Sequence, residues 1–204
     1  DIKPEQTKYL KDFFNEMEET VYASYFENKD YGWRSILDAE TFLRHFLIGE
    51  LSGNTDTYWS VYQYKKRGEK KAYTGPIWDL DLAFDNDYRT YPLNNKTEFV
   101  CFNGGSVAGS MGDFVRQVIL RDSQTMPELR KIWDEARHNG IDAVSLCAWI
   151  DSIANEIDRA QTLTFMRWNI LNSKEHMNPE ARGSFAAEVA YLKEFVAKRV
   201  EWMD

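Results

Sequence analysis

The sequence predicts an α+β fold, mostly helical, with one small β-hairpin at its functional end. Three observations predict it. Apolar residues recur at three- and four-residue steps through most of the chain. Alternation appears only around 59–64 and 72–78, on either side of a polar, glycine-bearing loop. Strands and helices do not alternate as a parallel sheet would require. The chain has 204 residues, 43% of them hydrophobic and 28% charged, enough for one domain with its own core. It shows no internal repeat or low-complexity linker, so residues 1–204 are read as a single domain.

Taken in order, Leu10, Phe13, Phe14, Met17, Val21 and Tyr25 stack on one face of a first helix, and Pro4 suits its first turn. Lys29-Asp30-Tyr31-Gly32 breaks that pattern. A second helix starts at Asp38, a good N-cap, carries Phe42, Phe46 and Leu47 inward, and ends at Gly53-Asn54. The hairpin follows: Trp59–Tyr64, a basic solvated tip at 65–71, then Ala72–Trp78. Residues 82–110 read as irregular, with Gly104-Gly105-Ser106 as a flexible turn, and a stretch that long is more often functional than decorative. Helices are predicted after Met111, near Pro127, and after Asp142, the last with Leu146, Trp149, Ile150 and Ile153 on its apolar face. A final helix from Asn178-Pro179-Glu180 buries Phe185, Val189, Leu192, Val196 and Val200.

Composition excludes several function classes. Net charge is −8, which disfavours non-specific nucleic-acid or anionic-membrane binding. No run of 18 apolar residues could span a bilayer, and Asp1-Ile2-Lys3-Pro4 carries no signal-peptide pattern. Aromatics are abundant (7 Trp, 11 Tyr, 12 Phe), which suits a dense core first and an aromatic-lined binding face second. Cys101 and Cys147 form no C-x-x-C, so one disulfide and two thiols remain equally open. Asn95-Lys96-Thr97 matches a glycosylation acceptor, a pattern frequent by chance. No H-E-x-x-H, G-x-S-x-G, Walker A or G-x-G-x-x-G motif is present.

Chemistry concentrates in Trp78-Asp79-Leu80-Asp81. Strand alternation would send Asp79 and Asp81 to one side, where two like charges are unfavourable unless a cation or a basic group sits between them. Hard carboxylate oxygens suit Mg²⁺, which completes its shell with water and substrate phosphates. The alternative is a turn in which both aspartates cap backbone N–H groups. Asp85 and Asp87 extend a calcium-like run, but an EF-hand register starting at Asp79 puts Phe84 where glycine is required and Thr90 where the bidentate Glu belongs. Asp56, in the turn Ser52-Gly53-Asn54-Thr55-Asp56, is a common turn aspartate by itself. A hairpin, however, returns its second strand to the end where the first began, which brings Asp56 towards Asp79.

Gly49-Glu50-Leu51-Ser52-Gly53-Asn54-Thr55-Asp56, Tyr62-Gln63-Tyr64-Lys65 and Gly75-Pro76-Ile77-Trp78-Asp79-Leu80-Asp81-Leu82-Ala83-Phe84 resemble the CotH kinase family. Arg167–Leu171 and Leu192–Trp202 are similar to its C-terminal segments, so the resemblance is strongest over 36–204. It implies the C-terminal lobe of a secreted or cell-surface atypical protein kinase that uses ATP and Mg²⁺ or Mn²⁺ to phosphorylate protein hydroxyls. On that resemblance Asp56 is the catalytic aspartate, Asp79 the metal ligand, and Asp81 a further ligand or support. Three positions depart from the family. No nucleotide-side strands or phosphate-binding basic residue precede residue 36, which predicts weak ATP binding and no measurable kinase activity by residues 1–204 alone. Val61 stands where an ordinary kinase catalytic loop has Asn, and Asp85 follows Phe84 where the family commonly has glycine. The alternatives are a non-catalytic glycan- or protein-binding module on the same scaffold, and a D-x-D glycosyltransferase, which the missing strand–helix alternation disfavours.

Overall fold

The computed structural model describes residues 2–92, 97–102 and 105–204. Among the described residues the fold has seven helices and one two-stranded antiparallel sheet: α1 (Pro4–Tyr22), α2 (Ala39–Ser52), β1 (Gln63–Lys65), β2 (Ala72–Thr74), α3 (Gly105–Arg121), α4 (Thr125–His138), α5 (Ala143–Glu156), α6 (Asp158–Arg167) and α7 (Phe185–Met203). The α+β, mostly helical architecture is therefore the one the sequence predicts. Short 3-10 helices at Trp33–Ser35, Thr55–Tyr58 and Val100–Phe102 join the longer elements.

Helix α2 is the central element, with α4 and α7 packed on it and β2 against its start. The Asp38 carboxylate accepts a hydrogen bond from Thr41 N at 3.0 Å, which satisfies a backbone donor that the first helical turn leaves free. Gly53 closes the helix in the left-handed region at φ 63°, open to glycine without steric cost. The sheet is pinned to the same helix, because Asp38 N donates to Ala72 O and Ala72 N donates to Ile36 O, both at 2.8 Å. Phe42, Leu43 and Phe46 of α2 meet Trp33, Leu37, Val118, Ile119, Phe195 and Val200 in one continuous buried core. At its edge Trp33 Nε1 donates to Asp122 at 2.6 Å, and Arg34 pairs with the same carboxylate.

Several elements differ from the sequence reading. The ladder runs only over Gln63↔Thr74 to Lys65↔Ala72, because Trp59 ends a 3-10 helix instead of opening a strand. Helix α3 starts at Gly105, so Gly105 and Ser106 are helical and not a flexible turn; Gly104 lies outside the described residues, as do Asn95 and Lys96 of the glycosylation pattern. Helix α6 has no buried residue, hence no apolar face for periodicity to detect. The predicted inner face of α5 is only partly inward: Leu146 and Ile150 lean on the core, while Trp149 is 65% exposed and Ile153 40%. Helix α7 starts at Phe185, capped by Ser184 Oγ on Ala187 N, because 178–184 form an irregular strap. Both cysteines are free thiols, Cys101 buried and Cys147 partly so.

Candidate functional site

Asp56 is placed by the end of α2. After Gly53 reverses the chain, Asn54 N donates to Gly49 O at 2.9 Å, and the buried Asn54 side chain accepts from Asp56 N at 3.2 Å. This starts the 3-10 helix Thr55–Tyr58. It seats on a polar network in the core: Tyr58 OH donates to Glu50, whose carboxylate also accepts from Val100 N at 2.6 Å and Cys101 N at 3.0 Å. Arg199 completes the network with Nη2 on Glu50 Oε2 at 3.2 Å; both charges are fully buried. Burial pushes Glu50's carboxyl up and Arg199's guanidinium down, while their mutual attraction opposes both shifts. Asp56 thus stands on a rigid base, its own carboxylate 27% exposed.

Asp79 and Asp81 follow β2 on a loop, not on a strand. Gly75 N donates to Tyr62 O and Trp78 Nε1 to Ser60 O, both at 2.9 Å, and the Tyr62 and Trp78 rings lie 4.8 Å apart. These contacts carry the hairpin past its ladder and moor Trp78 beside the segment that leaves Asp56. Asp79 then turns left-handed at φ 57°, so the expected strand alternation does not hold. The carboxylates nevertheless share one electrostatic neighbourhood. Asp79's carboxyl is raised above the usual aspartate value by the charge of Asp81 first, then by desolvation, with a further contribution from Asp56.

The donor set fits a divalent cation. Asp79 and Asp81 are exposed, and like charges held together are relieved when a cation joins them. Among the described residues no group of three or more His, Cys, Asp or Glu side chains converges to hold a metal ion. Mg²⁺ does not require one, since it commonly binds through one or two carboxylates plus phosphates and water.

Beyond Asp81 the chain is tied down at successive positions. Asn86 Nδ2 donates to Asp81 O at 2.9 Å, and Phe84 N donates to Ser52 O at 2.6 Å. Asp85, 1% exposed, accepts from Tyr191 OH at 2.6 Å; burial first, then this bond, pushes the phenol's pKa up. Asp85 has φ 64°, a left-handed backbone that glycine adopts at no cost. The departure from the family's glycine therefore keeps the backbone shape and adds a buried hydrogen bond.

Sequence reasoning missed Arg89. Its Nη2 lies 2.8 Å from Asp56 Oδ1 and 2.6 Å from Asp87 Oδ2, and its Nε donates to both Asp87 oxygens at 2.9 and 2.8 Å. Asp87 is fully buried. Hydrogen bonds to Asp87, then to Asp56, hold the guanidinium's pKa above its ordinary value. Asp87-Tyr88-Arg89 was a readable local pair, but nothing in the sequence ties residue 89 to residue 56.

The family model described as CotH kinase protein matches residues 1–203. The chain belongs to the CotH kinase family. The match starts well before residue 36, so α1 and the Trp33–Ser35 turn are part of the matched CotH region, which the resemblance had left out. No curated protein and no solved structure matches the chain. Among the described residues, no helix is long and apolar enough to cross a membrane.

Proposed function

We propose that this CotH chain transfers the γ-phosphoryl group of ATP to a hydroxyl of a protein substrate, at the secreted or cell-surface location the family suggests. The observation that supports this reading is the hydrogen bond from Trp78 Nε1 to Ser60 O at 2.9 Å, which ties the residue before Asp79 to the segment just after Asp56; the charges of Asp81 and then Asp56 also raise Asp79's carboxyl. Asp79 and Asp81 would hold Mg²⁺ or Mn²⁺, which when bound supplies the positive charge that phosphate oxygens need. Asp56 orients the acceptor hydroxyl and takes its proton. The acceptor oxygen bonds to the γ-phosphorus, the bond from that phosphorus to the β–γ bridging oxygen breaks, and ADP departs. Arg89 fixes one oxygen of Asp56 at 2.8 Å, which holds the carboxylate's direction.

The test is transfer of labelled phosphate from Mg-ATP or Mn-ATP by the native protein that carries residues 1–204, with Asp56→Asn and Asp79→Asn beside the wild type. Each variant should lose roughly 10²- to 10⁴-fold in turnover, since positioning and charge neutralisation supply nearly all such catalysis, with melting temperatures kept. Wild-type protein that transfers nothing would leave the non-catalytic binding module as the reading. Undiminished transfer in both variants would remove the two aspartates from the mechanism.

A further inference from the structure

The acidic groups at this site outnumber the basic ones. Among the described residues, Asp56, Asp79, Asp81 and Asp87 share it with one arginine, Arg89, and a polyphosphate approaching such a surface meets strong repulsion. The other side of the loop offers no better approach. A cavity of about 370 Å³ lies there, lined by Asp81, Asp85, Glu175, Glu180 and Glu188 against Arg182, and Arg182 is engaged by Glu188 at 3.0 Å and stacked on Tyr191 at 3.6 Å. Five carboxylates face Arg182 there, although its buried Nη2 has no hydrogen-bond partner among the described residues.

Arg89 differs in how it is held. Its Nε and Nη2 are committed to Asp87 and Asp56. Nη1 has no hydrogen-bond partner among the described residues and is not among their buried unsatisfied atoms, on a side chain 29% exposed. Asp87, with no exposure, keeps its counter-ion in place, because a buried carboxylate stripped of its partner is strongly unfavourable. The guanidinium is therefore a permanently charged, pre-oriented donor next to the acceptor-orienting carboxylate. We propose that Arg89 is a catalytic residue whose free Nη1 binds a phosphate oxygen of the nucleoside triphosphate, supplying a phosphate-binding cation from the segment between β2 and α3. This rests on the phosphoryl-transfer reading above. Nη1 would offer a phosphate oxygen a charge-assisted contact, pre-oriented by the two aspartates that hold the rest of the guanidinium.

The experiment compares Mn-ATP and Mn-AMP binding by calorimetry in the native protein that carries residues 1–204, with turnover measured in parallel. Arg89→Lys keeps a charge for Asp87 but loses the Nη1 donor. The double variant Asp87→Asn with Arg89→Gln replaces the ion pair by a neutral hydrogen-bonded pair and avoids an orphaned buried charge. Both should weaken Mn-ATP binding, the double variant by roughly 10- to 100-fold, as expected for loss of a charge-assisted hydrogen bond. Mn-AMP, which lacks the β and γ phosphates, should bind all three proteins alike. Unchanged Mn-ATP affinity in the double variant, with turnover alone reduced, would overturn the proposal and leave Arg89 as a positioning residue for Asp56. Wild-type protein that binds no Mn-ATP would overturn this proposal together with the phosphoryl-transfer reading, so the two failures are distinguishable.

Discussion

Replacing Arg199 with Met tests the base on which Asp56 stands. Arg199 is fully buried and donates from Nε to Glu50 O at 2.8 Å and from Nη1 to Glu98 O at 2.5 Å, besides pairing with the Glu50 carboxylate. Methionine fills most of the volume but leaves Glu50 charged, buried and without its cation, although Tyr58 OH, Val100 N and Cys101 N still donate to it. Breaking a buried pair from one side costs about 3–5 kcal/mol. At about 2–4 °C per kcal/mol for a chain of this size, the melting temperature should fall by roughly 6–20 °C. Burial raises the folded-state pKa of Glu50 above its unfolded value, so ionised Glu50 is a cost that grows as pH rises through that interval and is absent below it. The deficit of Arg199→Met should therefore shrink on acidification towards the carboxylate range, at about pH 5 against about pH 7. Adding Glu50→Gln should recover much of the loss, because the orphan charge is gone. Urea unfolding at both pH values reads all of this. A loss below about 1 kcal/mol for Arg199→Met, or a double variant less stable than the single one, would refute the argument.

Asp81→Asn removes the first-ranked source of the like charge that raises Asp79. It should reduce Mn²⁺ affinity near neutral pH, and it should also shift the acid fall-off of the remaining affinity to lower pH, as a Mn²⁺ titration over about pH 4–7 would show. A fall-off at the wild-type pH would mean that Asp81 does not act on Asp79. Gly49→Ala would set a Cβ 2.4 Å from Thr57 Cγ2, forcing α2 and the 3-10 helix of Asp56 apart at about 1–3 kcal/mol; chemical denaturation checks the cost, and a neutral result would show that the contact yields easily.

The sequence made local features legible and long-range ones not. The caps of α2, Asp38 and Gly53, were readable because each acts on backbone a few residues away. The Trp-Asp-x-Asp block and the Asn-x-Asp turn stood out in the sequence, because paired carboxylates near apolar residues need a reason. Their local path was misread: Asp79 sits in a left-handed turn after a Trp78–Ser60 hydrogen bond, not on an alternating strand. Arg89 stayed invisible because its partner lies 33 positions away. Helix α6 stayed invisible because nothing on it is buried, and the start of α3 because Gly105 and Gly109 mask its period.

The segment from Asp79 to Tyr88 contains no regular secondary structure, yet it is anchored at successive residues. Phe84 bonds to the end of α2, Asp85 to α7, and Tyr88 N to Met177 O at 3.0 Å. Fixing one backbone residue costs about 1–2 kcal/mol in conformational entropy, and here that ordering is settled when the chain folds. An incoming cation or nucleotide would meet carboxylates already immobilised, so its association should carry little further loss of chain freedom. The amide of Phe84 would then exchange with solvent deuterium on the timescale of α2, and that of Tyr88 on the timescale of the strap that carries Met177.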